Sequence, residues 1–182
     1  MYLFFDTETS GLPNKGLPLD HPSQPHIIQL AAILTSEDAQ TVAEINLRVR
    51  LPENATIHPK ATEAHGVTTE EARANGVTIT TALYAFGHLL KEAQAIVGHN
   101  VAYDLEMLSI ACERLGKRNP VPDALAVFCT MERAKPVCCL PPSERMIAAG
   151  FTGFKNPNLR EAYRHFYGKD FEGAHDALAD VR

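Results

Sequence analysis

Four acidic residues and one histidine, spread over nearly the whole chain, are the residues best suited to chemistry. They are Asp6 and Glu8 in Phe4-Phe5-Asp6-Thr7-Glu8-Thr9-Ser10-Gly11-Leu12, Asp104 in His99-Asn100-Val101-Ala102-Tyr103-Asp104, and His175 with Asp180 in His175-Asp176-Ala177-Leu178-Ala179-Asp180. Each lies at the end of an apolar segment, where a fold delivers a side chain to a cleft. Four carboxylates brought together repel one another by several kcal/mol unless cations sit between them. Such a set implies hard divalent metals with oxygen ligands, and a histidine beside it implies proton transfer.

Spacing refines this picture. Asp6 and Glu8 are two apart in a strand-like run and so share a face. Asp104 falls in line with Leu108, Ala111 and Leu115 on a predicted helix, which points it toward the core; a helix-dipole acid is the plainer alternative. His175 and Asp180 would be about 140° apart on a continuous helix. For both to reach one site, His175 must lie in the loop entering the helix, with Asp176 or a neighbour starting it and Asp180 in its early turns.

The elements that must carry these residues read as follows. Tyr2 to Phe5 is a buried central strand ending in the acidic pair. Pro13 to Pro25 is a long proline-rich loop. His26 to Leu34 is a second strand, and Ala43 to Leu51 alternates as a half-buried strand. Thr68 caps a short helix and a longer one spans about Thr80 to Ala93. Ala95 to Val97 is a buried strand closed by Gly98, followed by a helix from Val101 to Leu115 ended by Gly116. Ala124 to Thr130 is a strand, and Pro136 to Pro157 is irregular. Leu159 to Phe166 is a helix, and the last helix begins near Asp176. This order predicts an α/β fold with a mixed central sheet flanked by helices, as one domain over residues 1–182.

Composition bounds the rest. The chain has 182 residues, 45% hydrophobic and 21% charged, as expected of a globular domain. No run is apolar enough to span a bilayer and no basic-then-apolar leader follows Met1, so a cytoplasmic location is expected. Cys112, Cys129, Cys138 and Cys139 show no zinc spacing and read as free thiols. Net charge is −5, but residues 114–182 hold 11 basic and 8 acidic side chains. Arg145, Lys155, Arg160, Arg164 and Lys169 are therefore expected either as a mixed solvated surface or as a phosphate-guiding rim.

Taken together, the segments 6–12, 99–104 and 175–180 resemble, in order, the three motifs of the DEDDh branch of the DnaQ-like 3′–5′ exonuclease superfamily. The resemblance covers almost the whole chain and implies a ribonuclease H-like fold. It further implies that Asp6, Glu8, Asp104 and Asp180 hold two Mg²⁺ or Mn²⁺ about 4 Å apart, with Asp6 bridging them. By the same resemblance His175 is the general base and the products are nucleoside 5′-monophosphates. Leu12 matches a wedge at the terminal base and Tyr103 an aromatic lining the terminal nucleotide; Thr9 and His65 fall at further substrate-binding positions, and Asn100 either bonds to substrate or orders the strand-to-helix turn. The implied substrate is the 3′ end of DNA, preferably single-stranded, and the implied partner is a DNA polymerase or repair complex. The Pro13–Pro25 loop is longer than in a minimal member. An exoribonuclease and a non-catalytic end-binding module are the competing readings.

Overall fold

In the computed structural model of the chain, residues 1–170 and 173–182 are described. Strand β1 (Tyr2–Thr9) alternates strictly: Leu3, Phe5, Thr7 and Thr9 are buried on one face, while Tyr2, Phe4, Asp6 and Glu8 take the other. The acidic pair therefore belongs to the strand itself, beyond the apolar stretch that starts it. Next come β2 (Ile27–Thr35) and β3 (Thr41–Arg48), both antiparallel to their neighbours. Nine consecutive buried residues in β2 mark it as covered on both faces, whereas β3 is a half-exposed edge.

Three helices then lead to the parallel half of the sheet: α1 (Pro59–His65), α2 (Thr69–Ala74) and α3 (Ile79–Leu90). Proline at the first turn and Gly66 at φ 75° delimit α1, a pairing that the sequence reading passed over. Thr68 and Glu71 form the expected capping box of α2. Strand β4 (Ala95–Gly98), helix α4 (Val101–Arg114) and β5 (Ala126–Cys129) follow, and the sheet order is β3-β2-β1-β4-β5. β1, β4 and β5 run parallel, so the mixed sheet expected from the element order is present.

The chain from residue 136 to 157 departs from the irregular expectation. Helix α5 (Thr130–Cys138) runs through Pro136, and α6 (Glu144–Ala148) starts at a Ser143 cap. Pro136 lies in the last turn of α5, where it removes a single helical bond. Ala134 and Cys138 pack against Ala162 of α7 (Leu159–Tyr167) and hold the segment helical. Helix α8 (Ala177–Val181) ends the chain, capped by Asp176. The predicted helix 80–93 stops at Leu90, and the predicted strand 43–51 stops at Arg48 because Val49 bridges to Val77 instead.

The core lies between the sheet and helices α3 and α4. Phe5 and Phe86 are both fully buried there with ring centroids 5.2 Å apart, and Leu3, Met107 and Leu108 complete the layer. On the other side, α8 rests against β1 and β2. The Pro13–Pro25 loop is fastened by Arg114, which donates to the carbonyls of Pro25 (2.7 Å) and His21 (3.1 Å), and by buried Gln24, which donates to Asn14 O (2.9 Å). The four cysteines are free. Among the described residues no helix is long and apolar enough to cross a membrane. Phe86→Ala should destabilise the fold by about 3–5 kcal/mol in urea denaturation, since it empties the centre of this layer.

Candidate active site

The acids meet at the carboxyl ends of the parallel strands, the usual ligand position of an open α/β sheet. β4 pairs with β1 only as far as Phe4, and then stops. Beyond that point the Thr7 N–H faces no strand. Asp104, at the start of α4, occupies the gap: its Oδ1 accepts from the Thr7 N–H at 3.0 Å and from the Thr7 hydroxyl at 2.6 Å. Gly98 makes the close approach feasible, because a Cβ there would lie 3.1 Å from the Val101 side chain and 3.2 Å from the Phe5 carbonyl. Asp104 is only 2% exposed, so the core-directed reading is correct.

α8 supplies the other half. His175 precedes the helix at φ 69°, after Gly173 at φ 82°, and its N–H donates to the Asp180 carboxylate at 3.2 Å. Asp176 begins the helix by accepting from the Leu178 and Ala179 N–H groups. The loop entry inferred from the 175–180 spacing is thus observed. One ligand atom from each of Glu8, His175 and Asp180 lies within 4.8 Å of the others.

Burial and mutual repulsion strain the cluster. Desolvation, then the charges of Asp104, Glu8 and Asp180, push the Asp6 carboxyl well above its ordinary range. Desolvation, then the charges of Asp180, Asp104 and Asp176, raise Glu8 to about 8, offset in small part by Arg48. Asp104 and Asp180 are raised chiefly by burial as well, although the Thr7 hydrogen bonds oppose the shift at Asp104 and the His175 N–H opposes it at Asp180. Four oxygen-rich acids that resist ionising together form a donor set suited to hard divalent cations.

The predicted substrate residues form a second group beside the first. The Thr9 hydroxyl contacts both the Tyr103 hydroxyl and the Gly11 carbonyl, and Tyr103 donates to Gly11 O at 3.1 Å. His65 Nε2 lies 3.2 Å from the Thr9 carbonyl. These bonds brace the turn from which Leu12 projects, 83% exposed. Asn100 adopts φ 67° between β4 and α4 and makes no side-chain cap, so it serves the turn through its backbone shape. Of the expected basic rim, Lys155 pairs with Glu161 and Arg164 with Asp170, while the charge of Arg160 reaches Asp180.

Two residues escaped the sequence reading. Glu8 is opposite Gln29 on β2, and Gln29 is opposite Arg48 on β3, which makes one row across three strands. The signal for Gln29 was a lone amide inside an apolar strand. For Arg48 there was none, since alternate charges on an edge strand are ordinary.

Comparison with known proteins agrees with this geometry. The RNase_T family model, described as exonuclease, matches residues 3–182, and the chain belongs to that family, within the DnaQ-like 3′–5′ exonuclease superfamily that its motifs resemble. No curated protein sequence matches it. Among solved structures, E. coli Exonuclease I in complex with a dT13 oligonucleotide is similar at a TM-score of 0.74 and 22% identity, over 99% of this chain and 38% of that one. The zinc-bound form of the E. coli enzyme with single-stranded DNA gives 0.71 at 22% identity, over 99% and 37%. A moderately thermophilic Exonuclease I from Methylocaldum szegediense gives 0.70 at 18% identity, over 100% and 38%. The chain spans less than two-fifths of these structures, which share with it the ribonuclease H-like fold.

The raised carboxyls carry a thermodynamic consequence. From about pH 4.5 up to about 8, the value reached by Glu8, these carboxyls bind more protons in the folded chain than in the unfolded one. The stability these groups contribute is therefore complete at low pH and is lost as pH rises through that window. With chelator present, the melting temperature should fall between pH 6.5 and 8, above the range in which the lowered His26, His65 and His99 oppose the effect, and added Mn²⁺ should reverse most of the fall at pH 8. Thermal unfolding at pH 5, 6.5 and 8 with and without metal checks this.

Proposed function

We propose that this chain is the catalytic part of a divalent-metal-dependent exonuclease that shortens single-stranded DNA from its 3′ end. The observation that carries the reading is the convergence of Asp6, Glu8, Asp104 and Asp180, each with raised proton affinity, beside His175. A non-catalytic end-binder gains nothing from clustered negative charge facing phosphate. The single-stranded DNA bound to the similar E. coli structures supports the choice of substrate.

The four carboxylates would hold two Mg²⁺ or Mn²⁺, which when bound lower the pKa of an attacking water and neutralise charge on the leaving 3′ oxygen. Thr7 keeps Asp104 aimed at the cluster through two donors, so this ligand needs no reorganisation. His175 stands exposed in its loop, within reach of Glu8 and Asp180, where its imidazole would accept the water's proton at a ring nitrogen. Exposed Leu12 would wedge against the terminal base, while the Thr9–Tyr103–His65 brace shapes the pocket for the last nucleotide. Arg48, near Glu8 and half exposed, would meet a phosphate of the incoming strand.

End-labelled DNA and RNA strands incubated with Mg²⁺, Mn²⁺ or chelator test the reading. Stepwise release of 5′-mononucleotides from the 3′ end of DNA is expected, abolished by chelator and by Asp6→Ala. His175→Ala should lower kcat by about 10²–10⁴ with little change in strand binding. Faster loss from RNA would make the chain an exoribonuclease, and binding without cleavage under every metal would make it an end-binding module. Arg48→Ala should raise KM and reduce the log–log salt dependence of binding by about 0.7; an unchanged slope would remove Arg48 from the phosphate path.

A further inference from the structure

Gln29 sits on the floor of the site, in the row that starts at Glu8, yet it is no part of the acid set. It is 1% exposed inside a strand whose other members are almost all apolar. A buried amide is costly unless its polar atoms are engaged. Its Nε2 donates to Asn46 Oδ1 at 2.9 Å and to Asp176 Oδ2 at 3.1 Å, whereas its Oε1 has no partner. The Asp176 carboxylate can only accept, so the amide cannot be turned over to satisfy Oε1 without losing that bond.

Asp176 divides its two oxygens between separate tasks. Oδ1 caps α8 by accepting from the Leu178 N–H (3.1 Å) and the Ala179 N–H (3.3 Å). Oδ2 takes the Gln29 amide, with the Arg48 guanidinium 4.0 Å away. A five-residue helix has no stability of its own, so its placement depends on such anchors. The same short segment carries Asp180, and His175 immediately precedes its cap.

We propose that Gln29 is the positioning residue of the site: by donating to Asp176 it seats α8, and with it His175 and Asp180, opposite Asp6 and Glu8. An ordinary buried hydrogen bond would support β2 and β3 instead, and would leave α8 untouched. The metal and rate arms of the test below rest on the proposed exonuclease function; the exchange arm does not.

The test compares the full chain with Gln29→Met, Gln29→Asn, Asp176→Ser and the double variant Gln29→Met/Asp176→Ser. Methionine matches the length of glutamine without a donor, asparagine keeps an amide too short to reach, and serine retains a capping oxygen that Gln29 cannot contact. Hydrogen exchange in the absence of metal should quicken about tenfold at the Leu178, Ala179 and Asp180 amides in both Gln29 variants, while amides of β1 and β2 keep wild-type rates. Mn²⁺ affinity by calorimetry should weaken about 10–100-fold, as when a group supporting a metal ligand is removed. Turnover of single-stranded DNA should show the loss in kcat, with KM within about threefold of wild type. Because Gln29 acts through Asp176, the double variant should be no worse than Asp176→Ser alone.

Wild-type exchange at α8 in the Gln29 variants would overturn the proposal. So would loosening of β2 equal to that of α8, or multiplying effects in the double variant. A wild-type chain that neither binds Mn²⁺ nor cuts DNA would overturn the exonuclease reading, and the exchange arm would still decide the role of Gln29.

Discussion

The constraint on which this structure turns is electrostatic. Four carboxyl groups are drawn out of water into one cleft, where burial first, and then repulsion from neighbouring acids, raises their proton affinity. Nothing in hydrophobic packing favours that arrangement. The fold tolerates it because each acid is pinned by a neighbouring element: Asp6 and Glu8 by the register of the central strand, Asp104 by Thr7, and Asp180 by the backbone of His175. The core between the sheet and helices α3 and α4 holds these elements rigid, with Phe5 alternating directly beside Asp6 so that one face of β1 packs and the other presents the acids to the cleft.

The two sides of the cleft differ in how they are secured. Asp104 is held by a long helix packed into the main core, and its partner is backbone that the end of β4 leaves free. Asp180 rides on a single helical turn held by buried Ala177 and by polar attachments at both ends, Gln29 to the Asp176 cap and Arg182 to Glu44. One half of the acid set is thus placed chiefly by hydrophobic packing, and the other in large part by polar bonds to β2 and β3. Such a division suits the role proposed for His175, which sits in a loop close to solvent yet near the acids.

Much of this was legible in the chain. The alternation of Asp6 and Glu8, the inward stripe beginning at Asp104 and the loop entry of His175 each followed from periodicity, and all three are observed. Helices α5 and α6 were not legible, because proline counts as a breaker until the packing of Ala134 and Cys138 on α7 is known. Of the two readings left open for the basic residues, the mixed surface fits Lys155 and Arg164, which are engaged with Glu161 and Asp170 through pairings that depend on a helix cap and a following turn.

The residue types and their spacing determined which acids could share a site, which faces they would take and which family the motifs resemble, because periods of two and 3.6 residues are local properties of the backbone. Only the tertiary structure decided how the site is completed. The register that puts Gln29 and Arg48 in line with Glu8, and the early end of β4 that opens Thr7 to Asp104, arise from pairings between segments far apart in the chain. Those pairings are set by how whole strands and helices pack together, and no local window of sequence contains them.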